Sequence, residues 1–340
     1  MTILITGSAG LLGSSLSHWL IENTEHRIIG VDDLSGGYKE NMPDHINFRF
    51  VQVDCVDGYL NNVFQIYKPD YVYHMAAYAA ECVSPFIRCF NYTNNLTATA
   101  NVVNCCIRHK VKRLVFTSSM AVYGHGKAPF SEDAVCNPCD PYGNAKRSCE
   151  IDIQIAGEQH GLDWCIIRPH NIFGERQNLF DPYRNFIGIA MYKGLIGDPI
   201  TVYGDGEQKR AFSYIGDILE PLYNAATSVK ASKEIINLGG VHEYSINYVA
   251  NIVSRLSGSA IIKLPPRQEV KDAYATWFKS ELLLNFKHKT NIEEGIERMW
   301  AWAKTQPLKE RFIWDKYEIS ENIYPYWEKD ALKDGYYKRK

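Results

Sequence analysis

Thr2-Ile-Leu-Ile-Thr-Gly7-Ser-Ala-Gly10-Leu-Leu-Gly13 is the stretch that decides the fold. Ile3, Leu4 and Ile5 form a short apolar run of the kind shown by a strand buried on both faces. It breaks into glycines at 7, 10 and 13, and an apolar-periodic segment follows through Leu16, Trp19, Leu20 and Ile21. Strand, glycine turn and helix in that order make a dinucleotide-binding fingerprint. The glycines allow a tight turn and close approach of the backbone to a pyrophosphate at the helix N-terminus. The spacing is G-x-x-G-x-x-G, and three glycines alone would equally serve a plain strand-to-helix turn. Their place at the head of the chain and an acidic residue downstream favour the dinucleotide.

That acidic residue follows residues 27–31, which read as a second strand ending in Asp32-Asp33. A carboxylate about 20 residues beyond the glycines binds both adenosine ribose hydroxyls. It would repel a 2′-phosphate, so NAD is expected rather than NADP. Strand patterns recur at 48–53, 71–74, 114–117 and 164–168, with helical patterns ending at 67 and running over about 95–109 and 142–160. This alternation predicts an α/β fold, a Rossmann-like doubly wound parallel sheet over residues 1–168. Asp54, at a strand end, is placed either to reach the adenine side of the cofactor or to cap a helix. Beyond Pro169 the pattern loosens into a smaller, interlocking α/β unit over 169–306. Residues 235–238 are expected to return to the first sheet, and 246–257 and 291–304 to be amphipathic helices. The tail 307–340 carries Trp314, Tyr317, Tyr324, Tyr326, Trp327, Tyr336 and Tyr337, and is expected to dock on the body or on a neighbouring subunit.

Bulk properties narrow the function. With 46% apolar and 22% charged residues the chain reads as soluble and globular, and a net charge of −2 without a basic block suggests neither nucleic acid nor a membrane surface as partner. No apolar run approaches the length of a membrane span, and a fold that begins at residue 3 is expected to leave no n-region or h-region for a signal peptide. Nine cysteines at irregular spacing fit reduced thiols in the cytoplasm. Cys136-Asn-Pro-Cys139 lacks a second ligand pair at zinc spacing, so no metal is expected.

Two segments carry chemistry. Thr117-Ser-Ser119-Met-Ala-Val-Tyr-Gly124 is a strand ending in hydroxyls, and Tyr142-Gly-Asn-Ala-Lys146 opens a helix with the phenol and the ammonium on one face. A phenol is a poor base near its usual pKa of about 10, and a neighbouring ammonium and a cationic nicotinamide favour the phenolate.

In combination these segments resemble the extended short-chain dehydrogenase/reductases, and within them the NAD-dependent nucleotide-sugar epimerases, over residues 1 to about 305. The resemblance implies that Gly7, Gly10, Leu11, Leu12 and Gly13 hold NAD together with Asp32, Asp33 and Asp54. Ala76 and Ala77 of His74-Met-Ala-Ala77 and a structural asparagine, Asn95, complete that set. It implies Ser119, Tyr142 and Lys146 as the catalytic triad. Asn171, in Arg168-Pro-His-Asn171, and Asn185 fall where the family contacts its sugar nucleotide. Arg210 and Arg267 match diphosphate-binding arginines, and Glu269 an acidic residue on the uridine ribose; an arginine fork suits phosphate oxygens.

The resemblance further implies C4 epimerisation of a UDP-hexose through a 4-keto sugar, with NAD tightly bound and regenerated. Tyr142 would take the 4-hydroxyl proton while hydride leaves C4, and hydride would return to the other face of the turned sugar. Departures bear on the substrate. Met120-Ala121 stand where the 4,6-dehydratases carry Asp-Glu, which sets dehydration aside. Ala79 stands where UDP-glucose 4-epimerases often carry a lysine, and either Ala273 or Tyr274 would gate the sugar's C2 substituent. Glucose/galactose, their N-acetyl forms, glucuronate and a GDP- or CDP-sugar remain open at this point, as does a catalytically silent NAD-binding regulator. A homodimer packed through the helices near 95–109 and 142–160 is also implied.

Overall fold

A computed structural model describes residues 1–327 except Gln268 and Asp315. Six strands, β1 (Thr2–Thr6), β2 (Arg27–Asp32), β3 (Phe48–Gln52), β4 (Tyr71–His74), β5 (Arg113–Thr117) and β6 (Trp164–Pro169), join the strand Glu234–Leu238 in one parallel sheet. The Glu234–Leu238 strand lies outside β6, so the order runs from it through β6, β5, β4, β1 and β2 to β3. The later part of the chain thus contributes a strand to the first sheet.

Side-chain alternation explains why β1 sits at the centre. Leu4 packs on one face with Val63 and Phe64 of α2 (Leu60–Tyr67) and Val102 of a later helix, whereas Ile3 and Ile5 pack on the other with Leu16 and Leu20 of α1 (Leu11–Asn23). Chain order reverses between β1 and β4, and ligands of open α/β sheets bind in the crevice at the carboxyl ends there. Thr6, Asp32, His74 and Thr117 all end their strands at that edge.

The helix expected to start near 95 begins earlier. α3 (Arg88–Tyr92) runs through a wider turn, Thr93–Thr97, into α4 (Ala98–Arg108). No local side chain caps α3; instead Glu318, far along the chain, accepts hydrogen bonds from the backbone N–H groups of Cys89 (2.7 Å) and Phe90 (2.8 Å). A carboxylate at an N-terminus satisfies orphan donors and favours the helix dipole. Next comes α5 (Pro141–His160), capped by Asp140, whose Oδ1 accepts from Gly143 N–H at 2.9 Å.

The second half packs α6 (Phe186–Leu195), α7 (Ile215–Thr227), α8 (Ile246–Ser257), α9 (Phe278–Leu284) and α10 (Ile292–Ala303) with short two- and three-stranded sheets. Ile187, Met191, Val249, Val253, Ile296 and Trp300 form its own core. The tail docks on the body: Trp314, Tyr317, Tyr324, Tyr326 and Trp327 cluster with Tyr78, Val83, Phe86 and Tyr183. Tyr336 and Tyr337 lie outside the described residues. Among the described residues no helix is long and apolar enough to cross a membrane. All nine cysteines are free thiols; Cys136 Sγ lies 3.4 Å from Arg168 Nη2, which donates to it.

Two buried histidines brace the crevice. The His74 ring bridges the hydroxyls of Thr6 (2.8 Å) and Thr99 (2.9 Å), and burial pushes its pKa down to about 3. His170 Nδ1–H donates to Leu238 O (3.1 Å), its Nε2 accepts from Ala275 N–H (3.0 Å), and burial pushes it down to about 4. Below pH 6.5 the unfolded chain takes up protons that these rings refuse, so their contribution to stability is lost as pH falls toward those values. Each loss is about 2 kcal/mol at pH 5. Urea unfolding at pH 7.5 and 5.0 checks this. The drop should be smaller by about that amount in His170→Gln, whose amide can meet both partners without titrating; an equal drop in both proteins would refute it.

Candidate active site

One continuous cleft runs from the glycine turn, along the carboxyl ends of the sheet, to the second half of the chain. Gly7, Gly10, Leu11, Leu12 and Gly13 form its first wall. Gly7 has φ +71°, and a Cβ there would stand 2.7 Å from the backbone nitrogen of Ala76; at Gly13 it would stand 2.2 Å from Gly7 O. Only glycine fits either place. α1 begins at Gly10 with no side-chain cap, so its first N–H groups face the cleft unclaimed by a side chain. Asp32 is buried; Oδ2 accepts from Ala9 N–H (3.0 Å) and Oδ1 from Leu34 N–H (2.8 Å), which fixes the carboxylate while each oxygen keeps a lone pair. Burial raises its pKa. Asp33 and Asp54 line the same end, each bonding a backbone N–H two residues on (2.9 and 3.0 Å). Uncapped turn, backbone-tight glycines and a fixed acidic pair fit a dinucleotide without a 2′-phosphate.

The middle of the cleft carries Ser119, Tyr142 and Lys146. Ser119 follows β5; its Oγ accepts from Ala121 N–H at 3.1 Å, and its hydroxyl favours the ionised Tyr142 phenol. Lys146, one turn along α5, donates from Nζ to Thr117 O at 2.7 Å and stands 4.7 Å over the Phe116 ring. Burial pushes Lys146 down to about 8. Tyr142 departs from the expectation of a lowered pKa. Burial, then the charge of Glu81, push it up, while Ser119 and Arg184 pull it down. Within the chain alone, desolvation of the phenolate outweighs the cations.

Beneath this trio lies an ion pair the sequence did not reveal. Arg168, 1% exposed, and Glu150, fully buried, meet through Nε–Oε1 (2.8 Å) and Nη2–Oε2 (2.7 Å). Ser118 donates to the same Oε1 at 2.6 Å, so β5, β6 and α5 are tied together one residue from Ser119.

At the far end Arg210 and Arg267 converge on Glu269 Oε2 at 3.2 and 3.3 Å. Arg210 also donates to Lys209, Lys271 and Val270 carbonyls, which fixes its fork, and Arg267 lies over the Tyr203 ring. Arg267 Nε is buried without a partner among the described residues. Glu269 is therefore ion-paired with both arginines in addition to lining the cleft.

The remaining expected residues divide. Ala76, Ala77, Ala79 and Asn171 line the cleft. Asn185 lines it too, but its amide caps α6, accepting from Gly188 N–H (3.2 Å) and Gln177 Nε2 (2.7 Å) and donating to Ile172 O (2.8 Å). Asn95 does not line it. Its Oδ1 accepts from Tyr78 N–H (3.0 Å) and its Nδ2 donates to Asn91 (2.8 Å), so it braces the wide helical turn while Asn94 faces the cleft. Neither Ala273 nor Tyr274 lines the cleft; the short strand Asp272–Ala273 pairs with Lys209–Ala211 and holds Arg210 from behind. Sequence reasoning missed Asn94, Glu81, Tyr183 and Arg184, all of them lining residues without a local motif.

The model of the NAD-dependent epimerase/dehydratase family matches residues 3–239, from the first strand through the return strand. The chain belongs to that family. Among curated members of this epimerase/dehydratase family, a putative UDP-glucose 4-epimerase of Methanocaldococcus jannaschii is 32% identical over 89% of this chain and 98% of its own. The crystal structure of Thermotoga maritima UDP-glucose 4-epimerase with UDP-glucose superposes with a TM-score of 0.83 at 28% identity, over 89% of this chain and 98% of that one. Bacillus cereus UDP-glucuronic acid 4-epimerase, in complex with UDP-glucuronic acid and NAD, gives 0.82 at 28% identity, over 89% and 99%.

Proposed function

We propose that this enzyme interconverts C4 epimers of a UDP-hexose through a transient 4-keto sugar, with NAD resident in the cleft. The observation that carries this reading is that Ser119 and Tyr142 line one cleft together with the glycine turn and the Arg210–Arg267 pair. Residues 1–168 with the strand Glu234–Leu238 form the cofactor half, and 169–306 the sugar-nucleotide half.

Gly7, Gly10, Gly13 and the open end of α1 hold the cofactor's pyrophosphate, and Asp32 holds its adenosine ribose. Bound NAD supplies the acceptor and donor of the hydride, and its cationic ring favours the Tyr142 phenolate. Tyr142 takes the proton from the 4-hydroxyl and gives it back to the 4-oxygen. Ser119 donates to that oxygen and steadies it. Lys146 binds the nicotinamide ribose from the floor of the cleft. Arg210 and Arg267 grip the diphosphate, so the sugar turns while the nucleotide stays fixed. Asn171 offers a further contact to the phosphate, and Glu269, beside both arginines, reaches the uridine ribose.

Product chromatography of purified enzyme with a panel of sugar nucleotides and no added NAD tests the reading. Conversion of UDP-galactose to UDP-glucose, or of their N-acetyl forms, is expected. Activity that requires added NAD in stoichiometric amounts would refute a resident cofactor, and no conversion of any sugar nucleotide would leave the silent NAD-binding regulator. Ile151 and Ile155 stand exposed on α5, which supports a homodimer through this helix; light scattering at twice the 38.8 kDa chain mass is expected. The nine free thiols fit the cytoplasm as its compartment.

A further inference from the structure

Glu81 is a charged residue of the cleft with no task in this scheme. Glu81 opens the short turn Glu81–Phe86, and Ser84 of that turn donates to Glu81 O (2.7 Å) and accepts from the Tyr142 backbone N–H (3.2 Å). Ser84 also donates to the Asp140 carboxylate at 3.4 Å. The turn is thereby fastened to the start of α5, and Glu81 rides on the same small assembly as Tyr142.

Its side chain is exposed to the cleft. The carboxylate acts electrostatically on Tyr142 at one side and feels Arg210 and Arg267 at the other. It lies in the stretch that the hexose of a nucleoside-diphosphate sugar must cross between the diphosphate and the phenol. Its own partners are missing. Among the described residues none hydrogen-bonds or ion-pairs with the Glu81 carboxylate, although the other charges nearby are engaged. Arg184 pairs with Asp181 at 3.0 Å, Glu269 with both arginines, and Lys146 with Thr117 O. Desolvation by the cleft walls around it, then Asp140, raise the proton affinity of Glu81, so this region already resists negative charge. An ionised carboxylate only accepts hydrogen bonds, and sugar hydroxyls are the donors such a place can use.

We propose, on the C4-epimerase reading above, that Glu81 selects a neutral hexose: its carboxylate accepts hydrogen bonds from the sugar's hydroxyls and repels a sugar that carries a carboxylate at C6. A uronate would bring a second anion into a cleft of low dielectric, where like charges oppose one another strongly.

The test compares kcat/KM for UDP-galactose and UDP-galacturonate at pH 8 in the native enzyme, in Glu81→Gln and in Glu81→Ser. The native enzyme is expected to prefer the neutral sugar by at least about tenfold, the order of discrimination a like charge imposes. Both variants narrow that ratio by a similar factor, chiefly through a gain on the uronate. A native enzyme that turns over both sugars equally, or variants that leave the ratio unchanged, would overturn the assignment of Glu81 while leaving C4 epimerisation intact. Where UDP-galactose is not turned over, UDP-N-acetylgalactosamine serves as the neutral sugar in the same comparison, and a native enzyme that converts none of the three overturns both readings together.

Discussion

Replacing Tyr142 with phenylalanine is expected to lower kcat by about 10²- to 10⁴-fold, the contribution of a positioned general acid–base. The ring is 6% exposed and packed at the start of α5, and the substitution keeps that packing while removing only the hydroxyl. Thermal stability and bound NAD should therefore be retained. KM should change little, because the diphosphate grip at Arg210 and Arg267 lies at the other end of the cleft. The measurement is steady-state epimerisation of UDP-galactose beside an absorbance or release assay for bound NAD. Native turnover in the variant would mean that another group moves the proton.

A comparable effect on stability is expected from the ion pair below. Glu150→Ala leaves the Arg168 guanidinium buried opposite no counter-charge, a loss of about 3–5 kcal/mol. Arg168 keeps only the Tyr123 hydroxyl (2.9 Å), the Glu132 carbonyl and the Cys136 sulfur as acceptors, none of them charged. Urea unfolding should show the loss directly. The double replacement Glu150→Leu with Arg168→Met should recover much of it, because an apolar pair of similar volume avoids both desolvation costs. If the single and double variants are equally unstable, the pair is not what holds β5, β6 and α5 in register.

How much of this was legible in the sequence depends on the range of the interactions. Gly7, Gly13 and Asp32 were readable because a strand, a turn and a helix impose their spacing within thirty-odd residues, and backbone crowding leaves no substitute at Gly7 or Gly13. Tyr142 and Lys146 were readable because a helix puts them on one face. The start of α3 was not, since its cap is a glutamate 229 positions away from Cys89. Nor was the exchange of Asn95 for Asn94, because a five-residue wide turn at Thr93–Thr97 shifts which side chain meets the cleft. Glu150 and Arg168 are 18 positions apart, on a helix and a strand whose packing decides that they meet. Met120 and Ala121 argue against dehydration from local context, whereas the proposed choice of sugar rests on Glu81, whose place is set by tertiary contacts through Ser84.

The docked tail gives the site an order of completion. Trp314 Nε1–H donates to the Tyr78 hydroxyl at 3.1 Å, the Tyr183 and Tyr317 hydroxyls lie 2.8 Å apart, and Tyr326 meets the Tyr203 ring at 4.8 Å. Tyr78, Tyr183 and Tyr203 all line the cleft. The residues that back this wall thus follow both halves of the enzyme in the chain. A chain interrupted at 305 would already possess the glycine turn, Tyr142 and both arginines, yet its sugar wall would lack its backing. A chain truncated after residue 305 is therefore expected to keep its cofactor and to hold its sugar nucleotide more weakly than the full chain does.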